Sequence, residues 1–507
     1  MSENKILIKL LFSLSAIVIL QSWLYAQPET VWTKTFGGSD GDECHSIQQT
    51  SDGGYILTGY YGSFLSDFKT DALLIKIDAS GDTTWTKTFG GSEYDYGYSV
   101  QQTADGGYII TGNTGTYGPG EQDVWLIKTD ASGDTLWTKT FGGEYGNDEG
   151  RSVQQTSDGG YIISGFTYFY GTDDYDVLLI KTDASGDTVW TKTFGGSDDE
   201  YSYSVQQTSD GGYIITGNTR SYGQGSWDVW LIKTDASGDT TWTKTFGGSD
   251  GDYGYSVQQT SDGGYIITGS SSSYHTGWWD SDVWLIKTDA SGDTVWTKNI
   301  GGELNDEGQC VRQTSDGGYI IIGSTASYGA GNYDVWIIKT NALGDTTWTK
   351  TFGGVNYDEG FSVQQTADEG YIITGRTGSY GAGGFDVWLI RLEPYVVGIG
   401  DELLAVPQQF ALHQNYPNPF NPVTTLHYDL PENSFVNITI YNMLGRKVRT
   451  LFNQTQDAGY KSVIWNATND NGKPVSAGVY LYQIKAHQKE GRQAGEFVQI
   501  KKMVLLK

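Results

Sequence analysis

Cysteine is almost missing. The two present, Cys44 and Cys310, stand in separate repeats of the chain and cannot supply a disulfide framework. Histidine is scarce too. His45, His275, His413, His427 and His487 show no zinc-ligand spacing, and no Ser/His/Asp or Cys/His set is recognisable. No ten-residue stretch places apolar residues at helical intervals. The one sizeable apolar run, Leu10–Leu20, is shorter than the roughly 20 residues that span a bilayer as a helix. Cations are outnumbered, 32 Lys and Arg against 60 Asp and Glu, for a net charge of −28. That excess falls in residues 27–400. Such a field repels a phosphate polyanion, so nucleic acid is not expected as a partner.

What is present begins with a leader. Lys5 and Lys9 flank the start of the apolar run, and Ala26 precedes a polar start at Gln27. This is the pattern of a secretory signal peptide over residues 1–26, with no membrane-spanning segment in the mature chain. Glycine is frequent, 70 residues of 507, yet aromatics reach 14 %, enough apolar area for a large core.

The triplet Trp-Thr-Lys occurs at Trp32, Trp85, Trp137, Trp190, Trp242, Trp296 and Trp348, every 52 to 54 residues. Each unit reads as four short strands. In the second they are SVQQT (99–103), YIITG (108–112), DVWLIKT (123–129) and LWTKTF (136–141). Strands one and two are joined by Ser-Asp-Gly-Gly or a close variant, strands three and four by Asp-Ala-Ser-Gly-Asp. In the first turn the second glycine never changes, from Gly54 to Gly370, whereas Glu369 replaces the first in the last copy. The second position is therefore expected to need φ > 0.

Strands two and three are continuous apolar runs, as in strands buried on both faces. Units covered on both sides must stack, and seven around an axis make an all-β, seven-bladed β-propeller over residues 27–393. A β-solenoid is the second choice, since it needs caps at two ends. The Asp-x-x-Gly-Asp turn (Asn341 in the last copy) occurs only six times. Strand 31–36 has no first three strands before it, and the strands ending at Leu392 have no fourth after them. In a ring these fragments meet and complete one blade.

One face of such a ring carries the variable loops, where binding usually sits. It also carries acid. Asp42, Asp95, Asp148, Glu200, Asp252, Asp306 and Asp358 each stand four residues before the Ser (or Cys310) of strand one. A second set, Asp71, Asp123, Asp176, Asp228, Asp282, Asp334 and Asp386, opens strand three. The first set is expected either to cap its own loops or to bind calcium through carboxylate and carbonyl oxygens. Trp278 and Trp279 occur in one blade only and, with Trp227, are candidates to stack on a sugar or a partner's apolar surface. The recurring Ser-Tyr-Gly tyrosines are expected to pack. No residue is assigned a catalytic role.

Asp130-Ala-Ser-Gly133-Asp-Thr-Leu-Trp137 resembles the turn and docking tryptophan of pyrroloquinoline-quinone-type propellers, with a turn one residue shorter. The resemblance implies that Trp137 and its equivalents pack between blades. The adjacent cysteines of those enzymes are not present. Thr50-Ser-Asp52-Gly-Gly54 resembles the Asp-box turn of sialidase-type propellers, itself a structural turn.

After a linker, residues 394–408, the composition changes. Alternating strands, separated by Pro, Asn-Gly and Gly turns, suggest an Ig-like β-sandwich over residues 409–507. Its Asn415-Tyr-Pro-Asn-Pro-Phe-Asn-Pro422, Tyr441-Asn-Met-Leu-Gly445, Ala477-Gly-Val-Tyr480 and Lys501-Lys-Met-Val-Leu-Leu-Lys507 resemble the C-terminal (Por, type A) sorting domain of type IX secretion substrates. That resemblance implies a type IX secretion translocon as partner of residues 409–507, and a secreted or cell-surface protein. The whole reading is a binding or adhesion propeller for an extracellular glycan or protein. The alternatives are a polysaccharide hydrolase or lyase and a purely structural surface protein.

Overall fold

β-branched and aromatic runs bounded by Gly, Asp and Ser form strands throughout. The computed structural model describes residues 27–63, 69–169, 174–274 and 280–394 and, in the C-terminal region, 410–413, 415, 420, 424–456, 459–470, 472–488 and 497–506. Residues 1–26, where a leader is expected, and almost all of the expected linker fall outside them. The described residues contain no α-helix. The chain divides into two compact units near residue 395.

The first unit holds seven four-stranded antiparallel sheets, the blades of the propeller. The second blade runs Asp95–Gln102, Tyr108–Thr114, Asp123–Thr129 and Thr135–Phe141 in spatial order. Its strands two and three are buried at every residue, and strand four is half exposed. The core lies between blades. Ile109, Val124 and Leu126 of one blade pack on Val153, Tyr161 and Ile163 of the next.

The ring closes as expected. Thr30–Phe36 pairs antiparallel with Asp386–Leu392 and completes the blade begun at Asp358–Gln365. Six junctions share one device. Trp85 lies against Gly133 of the next blade, so close that an added Cβ would sit 2.7 Å from its ring. Lys87 Nζ meets Asp134 at 2.8 Å. At the seventh junction the turn is missing, and the N-terminal segment stands in for it. There Lys350 donates to the Pro28 carbonyl at 2.8 Å and the Gln27 amide donates to the Thr349 carbonyl.

The two-glycine turn needs a correction. The positive φ falls on the first glycine, Gly53 at 84°, and on Glu369 at 67° in the last copy. The second glycine is required for space instead. A Cβ on Gly54 would lie 2.3 Å from the Ile77 carbonyl oxygen.

Strand one is innermost, and its free edge is covered by side chains of the neighbouring blade. Ser46 Oγ accepts from Val100 N–H at 3.3 Å and Gln48 Oε1 from Gln102 N–H at 2.5 Å. Residues two apart share a face of a strand, so Ser-x-Gln imitates the hydrogen-bonding edge of another strand. The device recurs at the next four junctions. These strands enclose an axial channel of about 450 Å³, lined by Ser, Val and Gln together with Ile47 and Arg312.

The second unit has two sheets. One orders Ala411–Leu412, Thr424–Leu430 and Gly459–Trp465; the other Lys447–Gln456, Ser434–Asn442, Gly478–Gln488 and Phe497–Leu505. Leu426, Tyr428, Ile438, Trp465, Tyr482 and Met503 fill the space between them.

Candidate functional site at the propeller axis

Every described strand one carries a β-bulge just before its Ser, Cys310 taking that place in the sixth blade. In the second blade Gly97 pairs with Gly112 and Ser99 with Thr111, which leaves Tyr98 as the extra residue. The same shift isolates His45, Arg151, Tyr203, Tyr255, Gln309 and Phe361. The bulge also explains the glycine of YIITG. A Cβ on Gly112 would fall 1.7 Å from the Tyr96 carbonyl oxygen. A bulge re-aims a side chain, here toward the axis.

Contacts from blade to blade bear this out. Ring centroids of Phe361 and His45 are 5.2 Å apart, as are those of His45 and Tyr98. The Arg151 guanidinium lies 4.1 Å over Tyr98 and 6.0 Å from the centre of Tyr203, and Tyr203 meets Tyr255 at 5.4 Å. Residues of six separate blades touch in sequence only near the centre of a ring. Two residues earlier stands a second tier, Glu43, Tyr96, Glu149, Tyr201, Tyr253, Glu307 and Glu359. Around the ring Glu307, Glu359 and Glu43 form an acidic arc, and Tyr96, Tyr201 and Tyr253 an aromatic arc that Glu149 interrupts.

Trp227 joins the aromatic arc. Its indole lies 5.5 Å from Tyr201 and 6.3 Å from Tyr253, with the Arg220 guanidinium 5.3 Å above it. Trp278 and Trp279 lie outside the described residues. In the acidic arc Arg376 is paired with Glu43 and, at 2.7 Å, with Glu359; within the aromatic arc Arg151 is paired with Glu149. Burial, helped by Arg151 and Arg376, holds the His45 imidazole down to about 4, so it is neutral at pH 7. Burial and the nearby Glu359 push the Glu307 carboxyl upward.

The seven acids ahead of strand one are all buried. Each accepts a hydrogen bond from the second glycine of the preceding Phe-Gly-Gly-type turn, as Gly91 N–H to Asp95 at 2.9 Å and Gly248 N–H to Asp252 at 2.8 Å. Thr114 and Thr116 hydroxyls also donate to Asp95, and the Ser273 hydroxyl to Asp252. This is cap geometry, tying two loops of one face together.

Beside each cap stands the acid that opens strand three of the preceding blade. A Cβ on Gly142 would lie 2.0 Å from Asp123 Oδ1 and 2.5 Å from Asp148 Oδ2. Burial first, then the neighbouring carboxylate Asp386, pushes Asp42 up to about 6. Among the described residues no three His, Cys, Asp or Glu side chains gather as a metal site. The Ser-Tyr-Gly tyrosines pack as expected: Tyr117 lies 5.4 Å from Trp125 and its hydroxyl donates to the Gly90 carbonyl.

The bulge residues escape a reading of strand composition, because each looks like an ordinary strand residue. The available signal is variation. In a unit that otherwise repeats itself, this position holds His, Tyr, Arg, Tyr, Tyr, Gln and Phe.

The family model of the FlgD Ig-like domain matches residues 422–490. The regulatory protein FlaEY of Caulobacter vibrioides is 27% identical over 182 residues, 30% of this chain and 19% of its own length. The chain thus spans about a fifth of that relative. Among solved structures, PorZ, an essential bacterial surface component of the type-IX secretion system of Porphyromonas gingivalis, aligns over 93% of this chain and 60% of its own, at 13% identity and a TM-score of 0.40. The extracellular domain of the hybrid two-component system BT3049 of B. thetaiotaomicron aligns over 91% and 68%, at 10% identity and a TM-score of 0.31.

Proposed function

We propose that this chain is a secreted or surface-displayed binding propeller whose ligand, a glycan, docks at the axial mouth. The observation that carries this is the contrast between an almost invariant scaffold and a bulge position that varies among His, Tyr, Arg, Gln and Phe, six of whose seven residues touch one another from blade to blade. Aromatic faces at Tyr98, Tyr203, Tyr255 and Trp227 offer stacking surfaces for sugar rings, and the acidic arc offers acceptors for hydroxyls. Glycan-array screening of the mature chain is the test. Saturable binding without sugar release, weakened at least tenfold by Tyr203→Ala at unchanged melting temperature, is the expected result. Released sugars would make it a hydrolase or lyase, binding only to an envelope protein would replace the glycan, and no ligand would leave a structural role.

Export by a type IX translocon through residues 409–507 is part of the proposal. It rests on the motif residues and on where they stand. Met443 and Leu444 are 63% and 78% exposed at a hairpin tip, where the sandwich core does not use them. Replacing both by Ser is expected to abolish export from a type IX-competent host while the purified protein keeps its fold. Unchanged export would remove this pair from translocon recognition.

Calcium stays in the proposal as a stabiliser of the same face. The donors would be a cap and its neighbour, such as Asp148 and Asp123, whose Oδ1 atoms accept no hydrogen bond. Calcium takes six to eight oxygens, so loop carbonyls and water would supply the rest. A melting temperature that rises with calcium and falls with chelator supports this; no shift leaves the acids as caps.

A further inference from the structure

The Ser-x-Gln ladder around the channel breaks in one place. The sixth blade has Cys310 and Arg312 where Ser and Gln are expected. A guanidinium accepts no hydrogen bond, so the backbone N–H of Gln365 loses the acceptor its equivalents have. Arg312 turns back instead, and its Nη1 donates to the Val311 carbonyl at 2.9 Å and to Ser256 Oγ at 3.4 Å. A repeat that departs from its own rule at a structural cost marks a functional position.

The surroundings say what that position can hold. Each Gln of the ladder turns Oε1 to a backbone N–H, which can only donate. Its NH₂ group must then face away, toward the channel. Gln48, Gln101, Gln154, Gln206, Gln258 and Gln364 thus line the channel together with Arg312. The ring at this level presents donors. Arg312 has no carboxylate partner among the described residues, in a chain of net charge −28 whose other arginines in the described repeats are all paired. A charged, unpaired, half-buried guanidinium beside carboxamide N–H groups matches a carboxylate, whose two oxygens fit the guanidinium fork.

We propose that the axial channel holds a carboxylate, gripped by Arg312 and the NH₂ groups of the Gln ring. The source is either a free small carboxylate or the acid group of a uronic-type sugar. Only the second rests on the mouth being a glycan site.

The test is titration calorimetry and melting of the mature chain with acetate, glucuronate and glucose. Saturable binding of acetate or glucuronate, but not glucose, is expected. Binding of both acids assigns the site to the carboxylate alone; binding of glucuronate alone assigns it to the sugar acid. Arg312→Gln restores the ladder of the other blades. It should melt higher than the native chain yet bind the acid at least tenfold more weakly. Arg312→Lys should keep part of the affinity. The proposal fails if neither acid binds, or if Arg312→Gln binds as tightly as the native chain. Tyr203→Ala separates the two readings: it should weaken glycan binding at the mouth and leave acetate binding intact.

Discussion

A single methyl group separates the two glycines of the strand one-to-two turn in meaning. Gly53 adopts a left-handed backbone with open space around it, whereas Gly54 has ordinary φ and a carbonyl oxygen where a side chain would go. Gly53→Ala should therefore cost about 1 kcal/mol, the usual penalty of that conformation. Gly54→Ala should cost more than about 2 kcal/mol, because the clash is with backbone. Glu369→Gly should gain up to about 1 kcal/mol by relieving the same strain. Urea unfolding of the three variants checks the order, and equal costs at Gly53 and Gly54 would contradict it. The need for glycine here was legible from seven aligned copies. Its reason was not, since one chain does not show which carbonyl approaches from strand three.

Among strands, position in the blade decides what could be read. Strands two and three declared themselves by unbroken apolar runs, and the unmatched strand at Thr30–Phe36 declared the closure. Strand one hid its bulge, because a bulge changes register without changing residue type. The candidate axial site is therefore not legible in strand composition, whereas Trp227 and the acids on the rim are. The Gln pair was visible as QQT in six copies, but its edge-capping role needs the neighbouring blade. Deleting Thr30–Phe36 should remove the cooperative melting of the ring and expose the seventh blade to protease. Adding the peptide TVWTKTF in trans should restore part of the stability. An unaltered transition in the deletion would mean that the closure is not what holds the ring.

Across the whole molecule, two sets of carboxylates pull stability in opposite directions with pH. Asp42, Asp176 and Asp228 are pushed from 3.8 up to about 6, mainly by burial and then by neighbouring acids. The folded state keeps protons that the unfolded chain has released, so their contribution is full below about pH 4 and lost as pH rises through about 6. Asp52, Asp105, Asp158 and Asp210 face burial too, but their Thr, Lys and Gly partners outweigh it and hold them down to about 2. Their contribution is present above about pH 4 and lost as pH falls through about 2. His45, held neutral, subtracts a smaller amount as pH falls from about 6.5 toward 4. Melting temperature should thus peak near pH 4 to 5 and decline on both sides. A profile flat from pH 4 to 7 would show that the buried acids are neutralised some other way.

The closing strand also sets a clock. Thr30–Phe36 is the first piece of the ring to be synthesised, and its partner Asp386–Leu392 is nearly the last. Pairing across such a separation is slow, since the intervening chain must first be ordered. Until residue 392 is free, no sequence of events can finish the ring. The chain therefore remains an open arc for almost all of its synthesis, and its last repeat strand is what lets it lock.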